Sequence, residues 1–214
     1  MCGKFTQMAS WKEVHAFSQP LVANPNEPTV TATPMRFAQV LRLNRDGARE
    51  LVPMRWGFAE KNAQSPTRPK YMHARCETID TRPTFAAAFR EARGIAFVAS
   101  FNEGEALANG KTMQWVIAPL DGRALALAVI FEEWRNGDER LDTFVLVTTP
   151  PNALIARITD RMPAILPPEA WPAWLGETEA ALREIKALLK THDEAGGWSM
   201  HEQPPPPRGP RRSP

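Results

Sequence analysis

Along much of the chain, apolar and polar residues alternate in short runs that are cut by Asn-Gly and Asp-Gly pairs. This is the pattern of strands joined by tight turns. Phe37–Leu43 and Leu51–Phe58 flank Asn44-Arg45-Asp46-Gly47 and predict a hairpin that turns at Asp46-Gly47. Four more strands are expected over Ile95–Phe101, Thr112–Ala118, Ala124–Phe131 and Leu141–Thr148, separated by Asn109-Gly110, Asp121-Gly122 and Asn136-Gly137. Such a series favours an antiparallel meander or barrel over a parallel sheet. A strand around Thr29–Thr33, closed by Pro34, and a short one over Met162–Leu166 complete the set.

Helical spacing is confined to fewer places. Ser10-Trp11-Lys12-Glu13 is a capping box, Trp11, Val14 and Phe17 give that helix one apolar side, and Pro20 stops it. Thr84–Arg93 carries Phe85 and Phe89 one turn apart, with Gly94 as its expected stop. Pro151–Arg157 and Pro168–Leu175 read as short helical turns. Glu177–Lys190 reads as an amphipathic helix turning Ala181, Leu182, Ile185, Leu188 and Leu189 inward. Residues 21–29 and 59–70 are polar, Pro-containing loops. The expected architecture is α+β: a single β-rich domain over residues 1–202, with an antiparallel meander or barrel-like core flanked by helices. From Gln203 the chain becomes Pro-Pro-Pro-Pro-Arg-Gly-Pro-Arg-Arg-Ser-Pro, which cannot pack a core, so 203–214 is expected to be a disordered Pro/Arg-rich tail.

Composition narrows the function. The 214 residues are 43% hydrophobic and 23% charged, with 26 Lys and Arg against 24 Asp and Glu, a net charge of +2. Any basic footprint for nucleic acid must therefore be local. Two cysteines, Cys2 and Cys76, are too few for a disulfide framework, no leader pattern opens the chain, and no apolar run approaches the ~18 residues that span a bilayer. A cytoplasmic, monomeric protein without a membrane anchor is expected.

The phosphate-binding, dinucleotide-binding and nucleophile-elbow motifs are missing, and His15, His73, His192 and His201 show no metal-ligand spacing, so neither a metal nor a cofactor is expected. What remains is unusual at the start. Removal of Met1 would leave Cys2 as a 1,2-aminothiol, whose amine condenses with an aldehyde and whose thiol then closes a thiazolidine. The amine and thiol titrate near 8, so both reactive forms are populated near neutrality. In Tyr71–Thr78 strand alternation would put His73, Arg75 and Glu77 on one face, either a row of surface ion pairs or the wall of a site. Glu103, after the strand ending at Phe101, is placed for acid–base work or is an ordinary loop carboxylate. Cys76 is expected to be a small buried residue rather than a second nucleophile.

Read in order, Met1-Cys2-Gly3-Lys4-Phe5, Arg55-Trp56-Gly57-Phe58, Ala74-Arg75-Cys76-Glu77-Thr78, Glu103, Thr148-Thr149-Pro150-Pro151-Asn152 and Asp160-Arg161-Met162-Pro163 resemble the SRAP family of SOS-response-associated, peptidase-like proteins. The resemblance spans about residues 1–175. It implies a β-rich α+β domain that binds single-stranded DNA bearing abasic sites and captures the ring-opened sugar as a thiazolidine cross-link on Cys2. On that resemblance Cys2 is the nucleophile and Glu103 the acid–base carboxylate. Lys4, Trp56, Gly57, Arg75, Glu77, Thr148 and Arg161 fall at DNA-contact positions, with Trp56 and Gly57 against a base or sugar and Arg75 on a phosphate.

The sequence departs from the family pattern at several places. His73 stands where the family has asparagine, and Thr159 where it has the histidine that opens the sugar ring. Thr31-Ala32-Thr33-Pro34 replaces an Asn-x-Ala-Pro element, and Asn102-Glu103-Gly104 replaces an Asp-Gly-x-x-Glu-Trp continuation. His73 facing Cys2 is the candidate substitute for the proton shuttle lost at Thr159; a side chain that merely fills space is the alternative. Three readings follow. One is an active cross-linking protein, the second a DNA-binding relative without chemistry, and the third an N-terminal-nucleophile amidohydrolase, because glutamine amidotransferases also begin Met-Cys-Gly.

Overall fold

The computed structural model describes residues 3–7, 31–59, 63–66, 69–193 and 197–203. Met1, Cys2, the helix expected from Ser10, the loop at 21–29 and the residues after Gln203 lie outside the described residues. Eleven strands among them form one sheet. In chain order they are β1 (Lys4–Gln7), β2 (Thr31–Ala32), β3 (Phe37–Leu43), β4 (Arg49–Trp56), β5 (His73–Arg75), β6 (Arg93–Ala106), β7 (Thr112–Pro119), β8 (Leu125–Asn136), β9 (Glu139–Thr149), β10 (Met162–Pro163) and β11 (Trp198–Glu202). Helices α1 (Pro83–Glu91), α2 (Trp171–Leu175) and α3 (Leu182–Ala187) are short. The α+β class stands.

The β3–β4 hairpin forms where the pattern placed it, running from Phe37↔Arg55 to Leu43↔Arg49. The side chain of Asn44 accepts from the amides of Asp46 and Ala48 and so folds its own turn. Gly47 takes the left-handed conformation that this turn requires, at φ 77°.

Elsewhere the sheet is mixed, where an antiparallel meander was expected. Strand β9 runs parallel to β4 at Arg55↔Thr143 and to β5 at His73↔Leu146. Turn residues report local pairings and carry no signal for these distant ones. The turn at Asp121-Gly122 is also no hairpin. Residues Arg93–Val98 of β6 pair with β8, and Phe101–Ala106 pair with β7. The chain therefore crosses from one half of a 14-residue strand to the other. Strand β1 lies against β6, from Lys4↔Asn102 to Gln7↔Val98 with a register shift after Thr6.

Alternation along β6, β8 and β9 feeds two cores. Ile95, Phe97, Ala126, Ala128 and Val145 enter one, with Phe58, Phe85, Phe89, Trp171 and Trp174. Ala96, Val98, Leu127, Val129 and Leu146 enter the other, with Phe5, Trp56, Phe101 and Phe144. Burial on both faces explains why Leu125–Ile130 is continuously apolar rather than alternating.

Several expected boundaries move. The segment after β5 turns away, with Cys76 N–H donating to the Thr148 carbonyl and Thr78 N–H to that of Arg75, so Glu77 is not on the strand face with His73 and Arg75. Strand β6 continues through Glu103 to Ala106, so Glu103 lies inside a strand and not in a loop beyond it. The amphipathic segment 177–190 yields only the six-residue α3, because Ala181 at its start is extended. Ile185 and Leu189 are buried there, while Leu182 is exposed. Cys76 is buried and free, as expected of a core residue.

Strand β11 was not anticipated. It pairs with β7 from Trp198↔Pro119 to Glu202↔Trp115; Trp198 and Met200 pack into the core, Trp198 at a steep angle to Phe101. Among the described residues no helix is long and apolar enough to cross a membrane.

Gly94 is not a helix stop, since α1 ends before Ala92 and Gly94 is the second residue of β6, in close packing. A Cβ there would meet Val40 Cγ1 at 2.7 Å and the Leu41 carbonyl oxygen at 2.8 Å. Gly94→Ala is expected to cost about 1–3 kcal/mol as an overpacked core site. Gly110→Ala, at φ 77° with open space around it, should cost roughly 1 kcal/mol through its backbone conformation alone. Midpoints of chemical unfolding at unchanged slope give both values.

Candidate active site

Trp56 is the piece on which the site is assembled. At the end of β4 its ring is fully buried, and its Nε1–H donates to the Met72 carbonyl at 2.9 Å. One side meets the Phe5 ring at a centroid distance of 5.1 Å, which holds β1. The edge of His73 meets it at 5.8 Å, which holds β5. Trp56 therefore lies beneath the site and supports it; it is not the exposed surface against a base or sugar that the resemblance implied. Gly57 follows with φ 116°, and a Cβ there would fall 2.4 Å from Pro69 Cβ, so no side chain fits. Its role in this structure is close packing.

From that support His73 emerges half-buried and Arg75 exposed, two residues apart on one face of β5. Arg75 is paired in register with Thr148. Thr148 is buried, and its hydroxyl lies between the Ala74 carbonyl, to which it donates at 3.5 Å, and Arg161 Nη2, 3.4 Å away. Arg161 Nη2 also donates to the Thr148 carbonyl at 2.7 Å.

The same guanidinium grips Glu77 in a bidentate pair, Nη1 to Oε1 at 2.6 Å and Nη2 to Oε2 at 2.8 Å. Arg161 holds the Glu77 carboxyl down at about 2. Arg161 is itself 8% exposed. Glu77 and Arg161, both expected at DNA contacts, are engaged with each other, and their pairing fastens the turn after β5 to the loop before β10. Lys186 extends the fastening by donating to the Glu77 carbonyl at 2.9 Å and to Asp80 Oδ1 at 2.6 Å.

The second candidate carboxyl is Glu103. Glu103 has no exposed surface, and it stands mid-strand opposite Trp115. Burial pushes its pKa from the ordinary 4.5 to about 7, and the nearby negative charge of Asp160 adds to the rise. Asp160 belongs to the same loop as Thr159 and Arg161. Thr159 is half-buried, its amide bonded to the Ile155 carbonyl.

Lys4, one strand over, is half-buried and pairs in register with Asn102, the residue before Glu103. Asn102, Asp160 and Gln203 are site neighbours that the sequence reading did not single out. Asp160 was visible inside a motif, whereas nothing local marks Asn102 or Gln203. Among the described residues no group of three His, Cys, Asp or Glu side chains could hold a metal ion.

Comparison with known proteins places this arrangement in context. The family model described as SOS response associated peptidase (SRAP) matches residues 1–202. The chain is 28% identical over 199 residues to abasic site processing protein YoqW of Bacillus subtilis, covering 90% of this chain and 88% of that one. It is 27% identical over 185 residues to abasic site processing protein YedK of Escherichia coli, covering 82% and 79%. Among solved structures, a protein from Bordetella bronchiseptica superposes with a TM-score of 0.79 at 18% identity, covering 95% of this chain and all of that one. One from Bacteroides thetaiotaomicron gives 0.76 at 24% identity, covering 94% and 91%. These two establish the fold.

A carboxyl group raised on folding leaves a pH signature. The contribution of Glu103 is fully present below its unfolded value near 4.5 and is lost as pH rises through about 7. Relative to Glu103→Gln, the wild-type chain is expected to lose on the order of 3 kcal/mol between pH 4.5 and pH 8. Chemical unfolding of both chains across that range measures it, and a pH-independent difference would count against the burial argument. Glu77 has the opposite sign, its contribution lost only as pH falls from 4.5 through about 2, so it stays outside this window.

Proposed function

The chain belongs to the SOS response associated peptidase (SRAP) family, and from that membership we propose that it processes abasic sites in single-stranded DNA by capturing them covalently on Cys2. The observation that supports this best is Glu103. A fully buried carboxyl raised to about 7 holds and releases a proton at neutral pH, as an acid–base catalyst must. It sits one residue from the pairing of Lys4 with Asn102, and Lys4 follows Cys2 by two residues.

The chemistry runs as an aldehyde condensation. With Met1 removed, the α-amine of Cys2 adds to the aldehyde carbon of the ring-opened sugar. Protonation of the resulting hydroxyl lets it depart as water while the C=N bond forms. The thiolate then adds to the same carbon and the nitrogen takes up a proton, so one C–N and one C–S bond replace the C=O bond. Glu103 supplies the proton that leaves with the oxygen as water and recovers one from the nitrogen as the C=N bond forms; the proton the nitrogen later takes up is the one the thiol gave up on ionising. Arg75, exposed beside the site, contacts a backbone phosphate, which fixes the strand without reading its sequence. His73, held edge-on by Trp56, shuttles the proton that Thr159 has no basic nitrogen to carry.

A DNA-binding protein without this chemistry is the second reading, favoured by Thr159 itself. A denaturing gel separates the two. Purified protein mixed with single-stranded DNA containing an abasic site should give a covalent shift that Cys2→Ala abolishes, with intact mass showing Met1 absent. A processed N-terminus without a shift would leave only the binding reading, and glutaminase activity would favour the amidohydrolase.

Given the shift, Glu103→Gln is expected to slow cross-link formation by about 10²-fold or more. His73→Asn should slow formation and reversal by roughly tenfold, a small general acid–base effect. Unchanged rates in His73→Asn would remove the shuttle from the mechanism while leaving the capture chemistry in place.

A further inference from the structure

Among the described residues Arg55 is the buried cation that nothing in the fold answers. It stands next to Trp56 in β4, yet strand alternation turns it to the other face of the sheet, away from Trp56 and the candidate active site. It is 7% exposed, and its Nε and Nη2 are shielded from water without a hydrogen-bond partner. Burial lowers its pKa, and among the described residues no acidic neighbour offsets that. A buried charge in this state is strongly unfavourable unless a counter-charge completes it.

The sheet register identifies its surroundings. One row runs through Phe37 on β3, Arg55 on β4, Thr143 on β9 and Glu132 on β8. Glu132 is the acid of the row, but β9 stands between, which separates the two backbones by about 10 Å. Thr143 in the middle is neutral and donates its hydroxyl proton to the Glu132 carbonyl. A second shielded donor without a partner, Trp134 Nε1, lies on this face two residues along β8 from Glu132.

At its other end the row opens to solvent. Phe37 is 51% exposed, and β3 meets β6 only at Leu41↔Ile95. Met35, two residues earlier, is held at φ 74°, a conformation that residues with a Cβ rarely adopt. Met35 and Phe37 are two of the four large apolar side chains exposed among the described residues.

The orphaned nitrogens specify the missing group. Nε and Nη2 point the same way in the guanidinium plane and form its side-on fork. On Arg49 of this same chain that fork grips the Glu177 carboxylate, Nε on Oε1 and Nη2 on Oε2. A group with two coplanar oxygens fits Arg55 likewise. Exposed apolar side chains at the open end suit an anion carried on an apolar body better than a fully hydrated inorganic ion.

We propose that Arg55 is the centre of a binding site for an organic carboxylate, with its two oxygens in the fork and its apolar body against Phe37. The site lies on the face opposite the candidate active site and is independent of the DNA reading.

The test is thermal unfolding of the full chain in hexanoate, with acetate, inorganic phosphate and chloride at matched ionic strength for comparison. A ligand that binds only the folded chain at roughly ten times its Kd raises the melting temperature by about 3–6 °C. Hexanoate is expected to do so, and acetate to need higher concentrations. Arg55→Met deletes the unpaired cation at similar volume, so in chloride it should melt at or above the wild-type temperature, and hexanoate should no longer raise it. Arg55→Lys keeps the charge without the fork and should weaken hexanoate binding about tenfold or more. Phe37→Ala should remove the advantage of hexanoate over acetate.

An equal hexanoate response in wild type, Arg55→Met and Arg55→Lys would overturn the site. A response to phosphate alone would overturn the carboxylate assignment. An Arg55→Met chain that melts well below wild type, with no hexanoate effect on either, would mark a purely structural arginine.

Discussion

Keeping an ionisable carboxyl inside a hydrogen-bonded strand is the constraint to which the rest of the architecture answers. Glu103 lies in the half of β6 that is paired with β7 on one edge, while β1 pairs along the other edge up to Asn102. Water is excluded from it, and that exclusion moves its proton affinity to neutrality. The arrangement requires β6 to be long enough to serve two neighbourhoods. Its first half builds core with β8, and its second half carries the polar residues of the site.

The opposite wall is held by polar fastenings. Arg161, Glu77, Lys186 and Asp80 join the turn after β5, the loop before β10 and helix α3 into one connected set. Arg161 is buried, so its bidentate grip on Glu77 fixes geometry and is poorly placed to reach out for a ligand. Arg75 is the exposed guanidinium. Division of labour among neighbouring arginines thus follows from burial, and residues brought together by one motif do different work.

What could be read from the sequence was what is local. The Asn44–Gly47 turn folds itself, so the β3–β4 hairpin was visible, as were the apolar strands on either side of the remaining Gly turns. The β-rich α+β class followed from these, and the family from the order of its motifs. Long-range pairing was hidden. Nothing in Asn102-Glu103-Gly104 announces that β7 will extend the strand around it, and nothing in Trp198–Glu202 announces a partner in β7. The burial of Trp56 was obscured by its motif, which suggested an exposed aromatic platform. Helix α3 was overestimated because apolar spacing over 177–190 ignores the extended backbone at Ala181.

The pairing of β1 also bears on how the protein is made. Synthesis proceeds from the N-terminus, and β1 has no lateral partner in β6 until Asn102 has left the ribosome, nor its tether from Lys4 to Gln203 until that residue has followed. Through that interval the one neighbour available to β1 among the described strands is the two-residue β2. Closure of β1 onto β6 therefore waits on chain that lies about a hundred residues away in sequence, and the edge of β6 beside Asn102 stays open until it happens.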